Sequence, residues 1–475
     1  EEGDARAIRA GAAVMAKASA IDRLQCGLMR VAVTGGAGQL GTLVLRRLCA
    51  DRTVNEVRSL DLRPPLAASP KLKTILADVR DPDFARYLEA CDVLVHLAFL
   101  VAKRGRREIQ DDVNVEGSKN VVRAALQAGV RRIVYASSIA AYGVVAGHPE
   151  PIVESTPRIR QPSFWYASAK YDVESFLDEV EAAHPEVAVV RFRPAILLGR
   201  RMEHALGAAF RRGVLPDSGV VPLPLVWDED VADAFVLGVK SEARGAFNLA
   251  ADDPLPPRLL AKAAGLRTIP IFVGEMVRRA DALAVRLGLL PPMDPGWLAA
   301  GDARMVVSAE RARRDLGWKP RCAKAVEVVK RQVETVPRKL DRRLSLFFRA
   351  VDRASRREPP RPDLAGYETT IHLELSGPNG GDVTLRAHGG RLSARKGAPR
   401  PADGTVFLSA RLLLDLLAGK TDFAAAQITG RIRIEGQGLA SLLVGGMIGG
   451  FLAATKAPGL AGRTARALQG WMKRP

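Results

Sequence analysis

Cysteine is scarce in this 475-residue chain: Cys26, Cys49, Cys91 and Cys322 stand far apart, with no Cys-x-x-Cys pair. That spacing suggests neither a disulfide framework nor a metal site, and it fits a reducing cytoplasm. Aromatic residues are only 5% of the chain, and no helix-turn-helix or finger pattern occurs, so nucleic acid is not an expected partner. Acidic residues are also in deficit, 52 against 71 Lys and Arg for a net charge of +19. The excess favours anionic partners such as nucleotides or an acidic membrane surface. Internal repeats and low-complexity tracts are missing. Residues 1–28 lack the apolar segment and small-residue cleavage site of a secretory signal. Met29 and Arg30 are followed at once by the apolar run Val31, Ala32 and Val33, so we expect a start at Met29 and a flexible extension over 1–28.

The length and an apolar content of 47% suit two or three globular domains. From Val31 to about residue 250, short β-rich runs alternate with helical stretches, the pattern of a parallel sheet with crossover helices. Strands are expected at 30–34, 56–61, 73–76, 92–98, 132–137, 187–193 and 246–249. Residues 338–357 read as a basic amphipathic helix with Leu344, Phe347, Phe348 and Val351 on one stripe. That stripe needs burial against a domain or contact with an anionic membrane. Pro359, Pro360 and Pro362 then mark a boundary. Beyond it strands are expected at 369–376, 382–387, 403–409 and 431–435, an α+β pattern. The expected division is therefore an extension (1–28), a doubly wound α/β domain (29–337), a basic helix and Pro-rich linker (338–366), an α+β domain (367–456) and a basic tail (457–475). Residues 436–455 are uncharged and long enough for a bilayer span, yet their six glycines favour a buried, bent helix.

Chemistry concentrates at three places. Gly35, Gly38 and Gly41 follow the first strand and open a helix, where backbone can approach a pyrophosphate and free N–H groups face it. Asp61 lies 20 residues beyond Gly41 at a strand end, where a carboxylate accepts the ribose hydroxyls of adenosine. It would repel a 2′-phosphate, which favours NAD(H); Arg63 keeps NADP(H) as an alternative. Tyr166 and Lys170 stand at i, i+4, with phenol and ammonium on one helical face. A neighbouring cation is expected to lower the phenol pKa toward a usable acid/base. Ser137 and Ser138 end an earlier strand, where ligands of such sheets bind.

Residues 29 to about 335 resemble the extended short-chain dehydrogenase/reductases, a family that includes nucleotide-sugar epimerases and 3β-hydroxysteroid dehydrogenases. The resemblance rests on TGGAGQLG (34–41), DVRD (78–81), VLVHLA (93–98), NVEGSKNVV (114–122), YASSIAAYG (135–143), YASAK (166–170) and VVRFRPAILLG (189–199). It implies a Rossmann-type sheet and a catalytic set of Ser138, Tyr166 and Lys170, with Ser137 as the alternative serine and Asn114 in support. It further implies cofactor contacts from Gln39, Leu40, Asp78, Val79, Leu97, Ala98 and Pro194, beside the glycines, Asp61, Arg63, Tyr166 and Lys170. Ser138 is followed by Ile139 and Ala140 rather than the acidic residue of sugar dehydratases, which argues against dehydration. His96 is expected to be structural.

Residues 403–452 resemble the sterol carrier protein 2 (SCP2) type of lipid-binding domain, through GTVFLSARLLLDLLAGKTDFAAAQITGRIRIEGQGLASLL (404–443). The resemblance implies a sheet and helices enclosing an apolar tunnel. Leu412, Leu413, Leu414, Leu416 and Leu417 are too crowded for one helix stripe, so some are expected to face more than a small core. A well-filled core without ligand is the alternative. The chain is thus expected to be an NAD-dependent oxidoreductase on a sterol- or isoprenoid-like alcohol or ketone, with an attached lipid carrier. The alternatives are a nucleotide-sugar epimerase or reductase with a membrane- or lipid-binding module, and a non-catalytic NAD-sensing lipid-transfer protein. Peripheral membrane contact and a homodimer are left open.

Overall fold

The computed structural model describes residues 28–101, 105–200, 209–210, 214–217, 219–270, 283, 285–287, 294, 296–299, 303–335, 340–357, 359–377, 379–399, 401–436 and 439–473. Apart from Leu28, the expected extension lies outside them. The chain forms two compact units, dividing between Arg331 and Gln332, with 65–70 and 210–212 assigned to the second.

The first unit is built on strands β1 (Met29–Thr34), β2 (Val54–Asp61), β3 (Leu72–Leu76), β4 (Val93–His96), β5 (Arg132–Ala136), β6 (Ala188–Pro194) and β7 (Gly245–Leu249). They form one sheet in the order β7-β6-β5-β4-β1-β2-β3. Every pairing is parallel. Helices α1 (Gln39–Ala50), α2 (Gly117–Gln127), α3 (Trp165–Ala183) and α4 (Asp228–Lys240) supply crossovers. Helices on both faces make the central strands continuously apolar: Val31, Ala32 and Val33 are fully buried, as is all of β4. The strand order reverses between β1 and β4, which opens a crevice at their carboxyl ends.

The second unit carries β8 (Thr369–Ser376), β9 (Gly381–His388), β10 (Arg391–Lys396), β11 (Gly404–Ser409) and β12 (Arg433–Gly436), ordered β10-β9-β8-β11-β12. Only β8 and β11 pair in parallel. Alternate residues Ile371, Leu373, Leu375, Val383, Leu385, Val406 and Leu408 face one core. Helix α5 (Arg342–Arg357) lies along β10 and buries Leu344, Phe347 and Phe348 in that core, with Val351 against it. The basic helix assigned to a linker is therefore part of this unit, because three large apolar side chains at i, i+3, i+4 have found a sheet to cover. Helices α6 (Ala410–Leu417), α7 (Phe423–Ile428), α8 (Leu439–Lys456) and α9 (Gly459–Met472) complete it. The expected basic tail is thus mostly helix, anchored by Met472. All five leucines of α6 are buried in the common core, among α5, α8 and α9. Among the described residues α8 alone is long and apolar enough to cross a membrane, and only a third of it is buried.

Candidate active site

The crevice beside β1 is shaped by backbone approach. Gly35 adopts φ +72°, and a Cβ there would come within 2.6 Å of the Ala98 amide nitrogen. A Cβ on Gly41 would stand 2.1 Å from the Gly35 carbonyl oxygen. Those two positions let the turn fold tightly into α1, whose first amides face the crevice. Asp61 ends β2 next to this turn: its Oδ2 accepts from the Ala37 amide at 3.0 Å and its Oδ1 from the Arg63 amide at 3.1 Å. Gly38, Gln39 and Leu40 lie in the same turn, and the Arg63 side chain is exposed. Leu97 and Ala98 donate their amides to Thr34 Oγ1 at 3.2 and 3.3 Å, fixing the opposite wall.

His96 shows why that wall is rigid. Ser118 donates its single proton to the Asn114 carbonyl at 2.5 Å, so it accepts from His96 Nε2 at 2.8 Å. Nδ1 is then left to accept from Thr34 Oγ1 at 2.6 Å. Complete burial pushes the imidazole down to about 3, so it stays neutral and structural. Asn114 lies in a π-helical turn, with both ends of its amide on the Leu100 backbone at 2.7 and 3.1 Å. It braces the loop after β4. Asp78 is held by Arg80, which lowers its pKa, while Val79 is buried and its carbonyl accepts from Asn120. Pro194 ends β6, opposite Leu249.

Tyr166, Lys170 and Ser138 converge at the carboxyl end of β5. Ser138 Oγ accepts from the Ala140 amide at 3.1 Å and lies near enough to the Tyr166 hydroxyl to influence its titration. Lys170 Nζ donates to the Ala136 carbonyl at 2.6 Å and sits 3.4 Å from the Phe99 ring centroid. The Tyr166 ring packs on Trp297 at 5.4 Å and Phe99 at 5.7 Å. Burial raises the Tyr166 pKa, with the nearby Ser138 hydroxyl working against it. The depression expected from Lys170 is absent here, because burial itself drives the lysine well below its ordinary value.

Three acidic residues that support this geometry carry no motif of their own. Glu174, one turn beyond Lys170, is fully buried and bound by Arg193, with Nε to Oε1 at 2.9 Å, by Arg158 at 3.2 Å and by Ser137. Ser137 is thereby turned away from Tyr166, which leaves Ser138 beside it. Asp294 accepts from the amides of Trp165, Tyr166 and Gly296 at 3.0–3.1 Å, capping α3 from a distant part of the chain. Asp228 accepts from Gln39 Nε2 at 2.8 Å through Oδ2, while its Oδ1 is buried without a partner. The i, i+8 spacing from Tyr166 was a signal for Glu174; nothing local to Asp294 or Asp228 announces its role.

Burial pushes the Asp228 carboxyl up from 3.8 to about 7, despite the Gln39 hydrogen bond. In the unfolded chain the group ionises near its ordinary value, so folding binds a proton between the two. Stability from this group is full below about pH 4, falls as pH rises toward 7 and stays low above it. Asp228→Asn should therefore raise the denaturation midpoint at pH 8, with an upper bound on the order of 4 kcal/mol, and leave it nearly unchanged at pH 4. Urea titrations at both pH values check this; an equal shift at both would contradict it.

Comparison with known proteins bears on the fold and family of the two units. Residues 31–250 match the model of the NAD dependent epimerase/dehydratase family, and residues 351–443 that of the SCP-2 sterol transfer family. A 3-beta-hydroxysteroid dehydrogenase of Mycolicibacterium neoaurum is 28% identical over 330 residues, covering 62% of this chain and 88% of that protein. A 3 beta-hydroxysteroid dehydrogenase/Delta 5-->4-isomerase of Mycobacterium tuberculosis is 38% identical over 120 residues, covering 23% of this chain and 32% of that protein. Among solved structures, a UDP-N-acetylglucosamine 4-epimerase from Methanobrevibacter ruminantium shares the fold, with 18% identity, TM-score 0.51, and coverage of 64% of this chain and 97% of that one. The Bordetella bronchiseptica enzyme WbmG shares it at 21% identity and TM-score 0.51, over 64% of this chain and 93% of its own. The chain therefore joins a Rossmann-type enzyme domain of the NAD dependent epimerase/dehydratase family to a domain of the SCP-2 sterol transfer family.

Proposed function

We propose that the chain is an NAD-dependent oxidoreductase acting on the hydroxyl or keto group of a sterol- or isoprenoid-like substrate, which its SCP-2 domain carries. The observation that supports this most is the Ser138–Tyr166–Lys170 convergence in a chain that also holds a lipid-transfer-family domain with a leucine-rich core. The similarity to a steroid dehydrogenase across most of that protein's length points the same way.

Under this reading the glycine turn at 35, 38 and 41, with Gln39 and Leu40, would hold the diphosphate of NAD. Asp61 would hold the adenosine ribose, Asp78 and Val79 would border the adenine, and Leu97, Ala98 and Pro194 would line the nicotinamide side. The turn fits such a group: a Cβ at Gly35 or Gly41 would obstruct it, and the Asp61 carboxylate ends its strand at the turn. Bound NAD would supply the hydride acceptor or donor. Tyr166 Oη takes the proton of the substrate hydroxyl, or returns one to a carbonyl, while Ser138 orients the same oxygen. Lys170, whose Nζ is held on the Ala136 carbonyl, would hold the cofactor ribose. Phe99 and Trp297, packed on Tyr166, give the reacting oxygen an apolar surround suited to a lipid.

Asp61→Ala should weaken NADH binding by about 1–3 kcal/mol, the scale for losing a charged hydrogen-bond acceptor. Fluorescence titration with NADH and NADPH reads this, and tenfold tighter NADPH binding by the unaltered chain would count against the ribose assignment. The substrate reading is tested by mass spectrometry of lipids retained by the intact chain. Sterols or isoprenoids bearing an oxygen function are expected; a preparation that holds no lipid and takes up none when offered cholesterol contradicts the carrier role.

A further inference from the structure

Helix α8 is apolar on two sides. Ala440, Leu443, Val444, Met447 and Ile448 enter the core of the second unit. The opposite side shows solvent Leu442, Gly446, Gly449, Gly450 and Ala453, with Leu442 68% exposed. The end of α7 lies at the same edge: Ser441 Oγ meets Gln427 Oε1 at 3.2 Å, and Phe423 packs where a Cβ on Gly445 would sit. Ile428, 87% exposed, and Leu442 are the chain neighbours of the bonded pair Gln427 and Ser441. Leu442 thus stands on an outer α8 face otherwise made mainly of glycine and alanine, with Ile428 exposed at the end of α7. A soluble domain gains nothing in water from such a surface.

The charge around it is mainly basic, with Asp422, exposed at the start of α7, as an acidic exception. From Gly436 to the end of the chain there is no Asp or Glu, and residues 341–475 carry 21 basic against 11 acidic side chains. Lys456, Arg463, Arg466 and Lys473 are exposed. Arg466 donates to the carbonyls of Thr455 and Ala457 at 2.9 and 3.0 Å, which fixes a guanidinium at the carboxyl end of α8. Arg431 is exposed three residues beyond Ile428.

We propose that the outer face of α8, together with Ile428, docks on an anionic bilayer, lying in the headgroup layer with its basic surroundings on the lipid phosphates. Basic residues around an apolar face suit an interfacial helix. A spanning helix is disfavoured, because the other side of α8 is part of the domain core. A second copy of this chain is a poorer occupant, since it would bring one cationic rim against another. The surface also differs from the one the sequence singled out: the stripe of α5 is buried, so that helix cannot insert. The inference stands apart from the identity of the substrate.

The test is co-sedimentation of the full chain with vesicles of phosphatidylcholine alone, or with about one third phosphatidylglycerol. Binding is expected only to the anionic vesicles and should weaken as salt rises. The double variant Ile428→Asp/Leu442→Asp should lower partitioning at least about tenfold. Both side chains are exposed, and an unchanged thermal melt confirms the fold. Lys456→Glu/Arg463→Glu provides an independent arm, lowering binding and flattening its salt dependence. Equal binding by the aspartate pair and the unaltered chain overturns the proposal. So does the absence of binding to anionic vesicles, or light scattering that shows a dimer dispersed by the same substitutions.

Discussion

Tyr166→Phe is expected to lower turnover by about 10²–10⁴-fold while leaving NADH affinity nearly unchanged. The phenyl ring keeps its packing on Phe99, Phe164 and Trp297, and Asp294 still caps the helix through the backbone. Only the hydroxyl beside Ser138 is lost. That separation makes the variant diagnostic: a packing role would show in the melting temperature, whereas a proton-transfer role shows in the rate. Lys170→Ala should harm both rate and binding, because its ammonium links the Ala136 carbonyl to the site. Pre-steady-state NADH formation gives the rate directly. Retention of more than about a tenth of the turnover would assign the proton step elsewhere.

The second large effect is on stability. Glu174→Ala removes the only carboxylate bound to Arg193 among the described residues, one that also meets Arg158 and Ser137. Arg193 is itself buried, with its guanidinium 4.6 Å from the Tyr142 ring centroid. Breaking such a pair leaves an uncompensated buried charge, so a loss of about 3–5 kcal/mol is expected. Glu174→Leu combined with Arg193→Met should recover part of it, because both charges then leave together. Urea denaturation of the single and double variants measures the difference. A single-variant loss below about 1 kcal/mol would mean that water reaches this cluster.

The parallel sheet was legible because its strands are short, apolar and β-branched. All seven strands of the large parallel sheet fall within about two residues of the expected positions, whereas the short strands Ile196–Leu198, Val214–Asp217, Leu225–Trp227 and Arg267–Pro270, paired in two small sheets of the same unit, had no expectation. In the second unit one strand escaped notice. β10 reads RLSARK, an edge strand with only Leu392 and Ala394 buried, and its charges suit an edge that must not pair further. The amphipathic stripe of α5 was visible, yet the sequence offered no way to tell a sheet from a membrane as its cover. The uncharged run of α8 suggests a buried helix. The structure buries one side and exposes the other, a distinction that glycine-rich sequence conceals because both sides are apolar.

The catalytic candidates were legible for a different reason. Tyr166 and Lys170 share one helix, and Ser138 and the glycine turn end strands of one sheet, so local spacing predicts their approach. Supporting carboxylates are set by tertiary contacts instead. Asp294 reaches α3 across 128 residues and Asp228 reaches Gln39 across 189. No local pattern encodes either distance. The expected effect of Lys170 on Tyr166 failed similarly, since spacing shows that two groups are close and not how little water surrounds them.

The central claim is that Tyr166 and its neighbours oxidise or reduce a lipid-like substrate with NAD. The most direct measurement is NADH formation by the intact chain with NAD⁺ and a 3β-hydroxysterol dispersed in vesicles, compared with UDP-glucose and UDP-galactose under the same conditions. The account predicts NADH production from the sterol that Tyr166→Phe abolishes, with neither oxidation nor interconversion of the nucleotide sugars. Epimerisation of the sugars, with no NADH from any hydroxylated sterol or isoprenoid, would contradict it.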